Sequence, residues 1–115
     1  MKNKNFAVFI LSHGRPDNVI TYKTLKKLRY KGKIYIIIDN EDKTQKKYYK
    51  NFGNKVIIFD KKAIAKTFDA ADNFEDRRTI VYARNACFNI AKNLGITYFI
   101  QLDDDYFEFN YRLDN

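Results

Sequence analysis

Asp103-Asp104-Asp105 closes an apolar run, Thr97-Tyr98-Phe99-Ile100-Gln101-Leu102, that has the length and composition of a buried strand. Three adjacent carboxylates repel one another, and burying one without a partner is costly. A divalent cation removes that conflict, and carboxylate oxygens suit hard ions such as Mg2+, Mn2+ or Ca2+. On an extended segment, side chains two residues apart point the same way. Asp103 and Asp105 are therefore expected to face one ion together, with Asp104 directed elsewhere. The competing reading is a solvated acidic turn, so the weight falls on what else collects near the triad.

The elements that must position these carboxylates alternate along the chain. Phe6–Leu11 is a continuous apolar run, typical of a strand covered on both faces. Ser12-His13-Gly14-Arg15-Pro16-Asp17 breaks it as a loop. Asn18–Tyr30 carries Ile20, Thr24 and Leu28 at helical spacing, with Pro16-Asp17 as the entry and Gly32 as the stop. Lys33–Ile38 reads as a second strand ending at Asp39-Asn40-Glu41-Asp42, and Thr44–Phe52 as a short polar helix closed by Gly53. Val56–Phe59 reads as a third strand ending at Asp60.

Lys61–Asp76 is the least periodic stretch, expected to hold a short helix around Ala63–Ala65 and then a mobile loop. Thr79–Leu94 is the clearest helix: Ile80, Ala83, Cys87, Ile90, Ala91 and Leu94 form one apolar stripe, and Gly95 ends it. Tyr106–Tyr111 alternates like a further strand. The order βαβαβ(α)αββ predicts a single α/β domain over residues 1–115, with a mainly parallel sheet and helices on both faces.

In open parallel sheets, ligands bind outside the carboxyl ends of the strands, and the polar residues of this chain fall at those ends. The first strand delivers Ser12, His13 and Arg15, the second Asp39 and Glu41, the third Asp60, and the fourth Asp103 and Asp105. Each has a simpler use: His13 as a hydrogen-bonding loop residue, Arg15 as a partner of Asp17, Asp39 as a cap. The Gly14 loop has neither Walker spacing nor G-x-G-x-x-G, so phosphates would need a metal ion and an arginine. Arg77, Arg78 and Arg84 lie at or near the start of the strongest helix, where guanidinium groups and the helix terminus both favour anions; ordinary solvated arginines are the alternative.

The net charge of +8 favours anionic partners such as nucleic acid, nucleotides or acidic lipids. Lys, Asn, Ile and Tyr are all frequent, a bias that an AT-rich genome also produces, and no segment forms a dense basic arm. The single cysteine, Cys87, excludes an intramolecular disulfide and a multi-cysteine zinc cluster, and its place in the helical stripe marks it as a buried apolar residue. No apolar run reaches membrane-spanning length and the N-terminus leads straight into a strand pattern, so a cytoplasmic location is expected.

Four pieces, in order, resemble the nucleotide-sugar half of a GT-A glycosyltransferase: Ser12-His13-Gly14-Arg15, Ile36-Ile37-Ile38-Asp39, Ala83-Arg84-Asn85 and Leu102-Asp103-Asp104-Asp105. Within that group, residues 12–18, Tyr22-Lys23-Thr24-Leu25, Tyr30-Lys31-Gly32-Lys33 and Asp39-Asn40-Glu41-Asp42 are most similar to phage-type and TET-associated glycosyltransferases, a family linked to sugar modification of hydroxylated pyrimidines in DNA.

The resemblance implies a Rossmann-like GT-A sandwich truncated after the Asp-x-Asp strand. It implies a nucleoside-diphosphate sugar donor, UDP-sugar first among them, with Mn2+ or Mg2+ as cofactor and DNA as acceptor. By the same resemblance, Asp39 meets the base or ribose, and Ser12, His13 and Arg15 line the pocket. Arg84 approaches the ribose, diphosphate or sugar, Asp103 binds ribose, metal or both, and Asp105 ligates the metal.

The chain stops ten residues after Asp105, whereas GT-A enzymes continue with an acceptor-binding half, so the sequence is expected to be a fragment, one part of a split gene or a degenerate domain. If it does catalyse transfer, a second copy or partner chain is expected to complete the site. No general base can be assigned; Glu108 is a candidate by proximity alone. Two other classes compete. One is a small basic module that binds nucleic acid or protein, with the Asp cluster inert. The other is a metal-dependent nucleotidyl- or phosphoryl-transfer domain, disfavoured by the lack of a glycine-rich phosphate loop.

Overall fold

The structure, a computed structural model, describes residues 5–66 and 79–108, with Thr79, Ile80 and Val81 described by their backbone alone. Four strands form an all-parallel sheet: β1 (Phe6–Leu11), β2 (Lys33–Asp39), β3 (Val56–Phe59) and β4 (Tyr98–Asp103), in the spatial order β3-β2-β1-β4. Strand β1 pairs on both sides, Ile10 lying opposite Ile36 of β2 and Leu102 of β4. Its central place explains its uninterrupted apolar sequence, since both of its faces need cover.

Two helical layers provide that cover. On one face α1 (Ile20–Lys27) and α2 (Gln45–Phe52) pack over Val8, Ile10, Ile34, Ile36 and Ile38, joined by the edge-to-face contact of Tyr22 and Phe52. On the other, α3 (Lys61–Ala65) and α4 (Thr79–Leu94) pack over Ala7, Phe9, Leu11 and Ile37. Ala83, Ala86, Cys87 and Ala91 of α4 are buried there, and these small side chains let the helix lie close to the sheet. This is the expected α/β, Rossmann-like architecture. The mobile loop expected after α3, the Ile80 side chain, and Arg77 and Arg78 lie outside what the structure describes.

Three local expectations change. Helix α1 stops at Leu28, four residues before Gly32, in a hydrogen-bonded αL cap: Arg29 N–H donates to Lys26 C=O, Tyr30 N–H donates to Leu25 C=O, and Arg29 sits at φ 67°. Gly32 instead makes room for the Tyr30 ring, whose hydroxyl would lie 2.1 Å from a Cβ at that position. Leu28 is exposed, whereas Thr21 and Thr24 are buried, so the inner stripe of α1 is partly polar. Lastly, Tyr106–Glu108 forms no strand, and residues 109–111 of that predicted element lie outside the described residues.

Candidate active site

All four strands are parallel, so their carboxyl ends lie along one rim. There Leu11, Ser12, His13, Arg15, Ala83, Asp103, Asp104 and Asp105 line a cavity of about 320 Å³, at the lower end of the range for ligand pockets. Three elements meet at it: the β1–α1 loop, α4, and the turn after β4.

The β1–α1 loop is fixed from beneath. Ser12 is buried, and its hydroxyl donates to Asp104 Oδ2 at 2.7 Å. Its oxygen lies 2.6 Å from the hydroxyl of Tyr48, a fully buried residue of α2. Because Ser12 gives its proton to a carboxylate, Tyr48 must be the donor to Ser12. The Tyr48 oxygen in turn accepts the Arg15 backbone N–H at 2.9 Å. The result is a directed chain, Arg15 N–H to Tyr48 to Ser12 to Asp104, in which every proton has one place to go. Burial, only partly opposed by the hydrogen bonds with Ser12 and Arg15, pushes the Tyr48 phenol above its ordinary value and keeps it a proton donor.

Asp42 secures the same loop from the β2 side. Its Oδ2 accepts the N–H of Gly14, which sits at φ 67° in the region that favours glycine, and its Oδ1 accepts the amide and hydroxyl of Thr44. Burial alone would raise the Asp42 pKa. The Thr44 and Gly14 hydrogen bonds, with His13 adding to them, outweigh burial and hold it below the usual carboxylate value.

Asp39 is wholly buried. Its Oδ2 accepts the Glu41 N–H, and its Oδ1 lies 2.7 Å from His13 Nδ1. A carboxylate can only accept, so Nδ1 of the half-exposed His13 is the donor in this contact, and Nε2 takes no part in it.

The triad after β4 departs from simple alternation. The strand ends at Asp103, and Asp104-Asp105 form a turn, so the two-residue rule no longer applies. Asp104 turns inward to Ser12, with Arg15 Nη2 at 3.6 Å from its other oxygen, and it lines the cavity together with Asp103 and Asp105. Helix α1 holds the turn by its backbone. Thr21 donates from its amide to Asp104 C=O and from its hydroxyl to Asp103 C=O, and Thr24 donates to Tyr106 C=O. Asp103 accepts Arg84 Nη2 at 3.0 Å, while Arg84 is braced by Gln101 of β4. On that side the cavity wall is Ala83 rather than Arg84. Asp105 is exposed and meets no protein donor among the described residues.

The remaining rim residues have local partners. Asp60 caps α3 by accepting the Ala63 N–H, Glu41 pairs with Lys61, and Asp17 pairs with Lys47 rather than Arg15. Burial pushes the Cys87 thiol up to about 12, against a smaller opposing pull from Arg84, which makes it inert packing.

Two carboxylate sets are therefore candidates for a cation. Ligand atoms of His13, Asp39 and Asp42 lie within 4.8 Å of one another. Each oxygen of those two aspartates already accepts a protein hydrogen bond, so an ion there would have to displace the clasp that shapes the loop. Asp103 and Asp105 both line the cavity, Asp103 with Arg84 on one oxygen and Asp105 with no protein donor among the described residues.

The fold and the rim cavity together define a Rossmann-like α/β domain with a cavity at the carboxyl ends of its strands. The chain belongs to the TET-associated glycosyltransferase family, whose model matches residues 6–115. That membership carries glycosyltransferase activity as the family's chemistry. No curated protein and no solved structure matches the chain. Among the described residues, no helix is long and apolar enough to cross a membrane.

Proposed function

We propose that the rim cavity is the donor site of a metal-dependent, GT-A-type glycosyltransferase that takes a nucleoside-diphosphate sugar, UDP-sugar first among them, and delivers the sugar to modified bases in DNA. The observation that carries this reading is the convergence of Ser12, His13, Arg15 and Asp103–Asp105 on one cavity in a chain of glycosyltransferase family.

In this reading Asp103 and Asp105 hold the ion, Mn2+ or Mg2+, and Asp103 shares its carboxylate with the ribose. When bound, the ion supplies the charge that stabilises the leaving diphosphate. Arg15 and His13 face the donor's polar groups, and Arg84 orients Asp103 and approaches the ribose, diphosphate or sugar. Asp39, with both oxygens occupied, acts through His13 instead of touching the base itself. Asp104 keeps Ser12 and Arg15 in place.

Calorimetric titration with UDP and Mn2+ tests this. Wild-type protein takes up UDP in the presence of the ion, and Asp103→Ala and Asp105→Ala proteins do not. No uptake by wild-type protein, or equal uptake by all three, defeats the reading.

A further inference from the structure

We infer that the outer face of the α1/α2 layer is a docking surface for the phosphate backbone of a nucleic-acid duplex. The choice of duplex DNA rests on the acceptor reading above; the surface itself rests on where the charge lies.

Residues 18–55 carry eleven Lys and Arg against three Asp and Glu, an excess equal to the whole chain's net +8. This stretch contains both helices of one sheet face. Two of its three acids, Asp39 and Asp42, are buried and occupied by internal donors, and the third, Glu41, pairs with Lys61 of α3. On α1 every exposed position is a lysine: Lys23, Lys26 and Lys27. On α2 the exposed positions are Lys46, Lys47, Tyr49, Lys50 and Asn51. The Tyr22–Phe52 contact sets the two helices side by side, so their lysines share one surface.

The other sheet face carries lysine as well, Lys62 and Lys66 beside α3 and Lys92 on α4, and the remaining exposed polar positions among the described residues of α4 are the uncharged Asn85, Asn89 and Asn93. The exposed positions of α1 and α2 hold six lysines and no acid, so the basic charge is denser on their face.

The chemistry of the face selects among polyanions. A single strand is held by aromatic stacking platforms, and this face exposes only Tyr49 on its helices; Phe88, Tyr98 and Phe107 are exposed elsewhere. An acidic membrane surface favours basic helices with a continuous apolar face to insert, and here the exposed large apolar groups are the separate Leu28, at the end of α1, and Tyr49 of α2, set among six lysines. Closely spaced lysines on two adjacent helices match a regular array of phosphates, where each neutralised phosphate releases counterions. The row begins at Lys23, two residues beyond Thr21, which clasps the Asp103–Asp104 backbone. A duplex lying along α1 therefore passes beside the cavity.

The test is fluorescence anisotropy of a labelled DNA duplex across a salt series, without metal or nucleotide. Two charge-matched triple variants are compared: Lys27→Gln, Lys46→Gln and Lys50→Gln on this face, and Lys62→Gln, Lys66→Gln and Lys92→Gln on the other. All six positions are exposed, and circular dichroism checks the fold of each variant. Wild-type protein binds at low salt. The α1/α2 triple binds at least about tenfold more weakly, and its log–log salt slope becomes shallower by about three, roughly one for each phosphate that is no longer neutralised. The other triple stays near wild type.

Absence of wild-type binding at low salt, equal weakening in the two triples, or preferential binding to phosphatidylserine vesicles over the duplex overturns the inference. The α1/α2 triple keeps wild-type UDP uptake, so failure of the donor reading and failure of this one are separately visible.

Discussion

Replacing Tyr48 by Phe isolates the hydroxyl at the centre of the loop's hydrogen-bond chain. The ring is fully buried, and Phe preserves its packing against Phe52, so no cavity term arises beyond one oxygen atom. Two hydrogen bonds vanish, one to Ser12 at 2.6 Å and one from the Arg15 amide at 2.9 Å. Each is worth about 1 kcal/mol net, and a buried donor left without a partner adds about 1–3 kcal/mol. Arg15 N–H sits in a part-buried setting, so the lower part of that range applies, and the expected destabilisation is about 2–3 kcal/mol. Against a domain stability on the order of 5–15 kcal/mol, that is a large fraction. With a urea m-value of about 1–3 kcal/mol/M, the denaturation midpoint falls by roughly 1 M or more with m unchanged. A midpoint within about 0.2 M of wild type would refute the directed chain, and with it the claim that α2 fixes the Ser12–Arg15 loop.

Two further predictions concern the loop and the α1 cap. Asp42→Asn keeps an acceptor for Thr44 but turns an amide donor toward Gly14 N–H, costing about 1–3 kcal/mol at neutral pH. The folded Asp42 pKa is depressed below the ordinary value of 3.8, so its contribution is fully present above that value and is lost as pH falls through the folded pKa. Urea melts should therefore show the wild-type advantage over Asp42→Asn shrinking below about pH 4; parallel pH profiles would contradict the assignment. Arg29→Gly removes a non-glycine αL residue at φ 67° and should raise stability by about 0.5–1 kcal/mol in the same assay; a decrease would mean that the Arg29 side chain matters more than its backbone.

Which features could be read from the sequence depends on whether the signal was local. The uninterrupted apolar runs of β1 and β2 reported burial on both faces directly, and the order of elements implied the parallel sheet. Gly95 and Arg29 make the contrast at residue level. Both end a helix with the same pair of hydrogen bonds, Gly95 to Lys92 with Ile96 to Ala91, and Arg29 to Lys26 with Tyr30 to Leu25. Only the first carries a glycine to announce it, so α1 read as running on to Gly32. At the site, Ser12, His13, Arg15 and the Asp triad were visible because they sit at strand ends. Tyr48, Asp42, Thr21 and Thr24 were not, because each acts through a partner far away in the chain, Asp42 through Gly14 and the threonines through the turn after β4. A buried Tyr in a lysine-rich helix looks like ordinary packing, and a Thr in an amphipathic stripe looks like a tolerated polar residue. The inward turn of Asp104 was hidden for another reason: alternation holds only while the strand lasts, and the strand ends at Asp103.

The rim's aspartates divide by the donors they meet, and that division explains how an acidic site sits on a strongly basic domain. Asp39, Asp42 and Asp104 are buried, and each is held by hydrogen bonds from neighbouring loops, so they act as rigid clasps rather than exposed charge. Asp103 and Asp105 line the cavity outside that clasp, and in the proposed reading these are the charges left for a ligand. Helix α1 serves both ends of this arrangement. Its inner threonines fix the backbone from which Asp103 and Asp104 project, while its outer positions are all lysine. The two faces are chemically separable, because the inner one works through main-chain hydrogen bonds that salt screens little and the outer one through exposed charge that salt screens strongly. Raising ionic strength should therefore release a duplex well before it loosens the carboxylate turn, and the order of those two events distinguishes a surface that docks from a site that merely shares its helix.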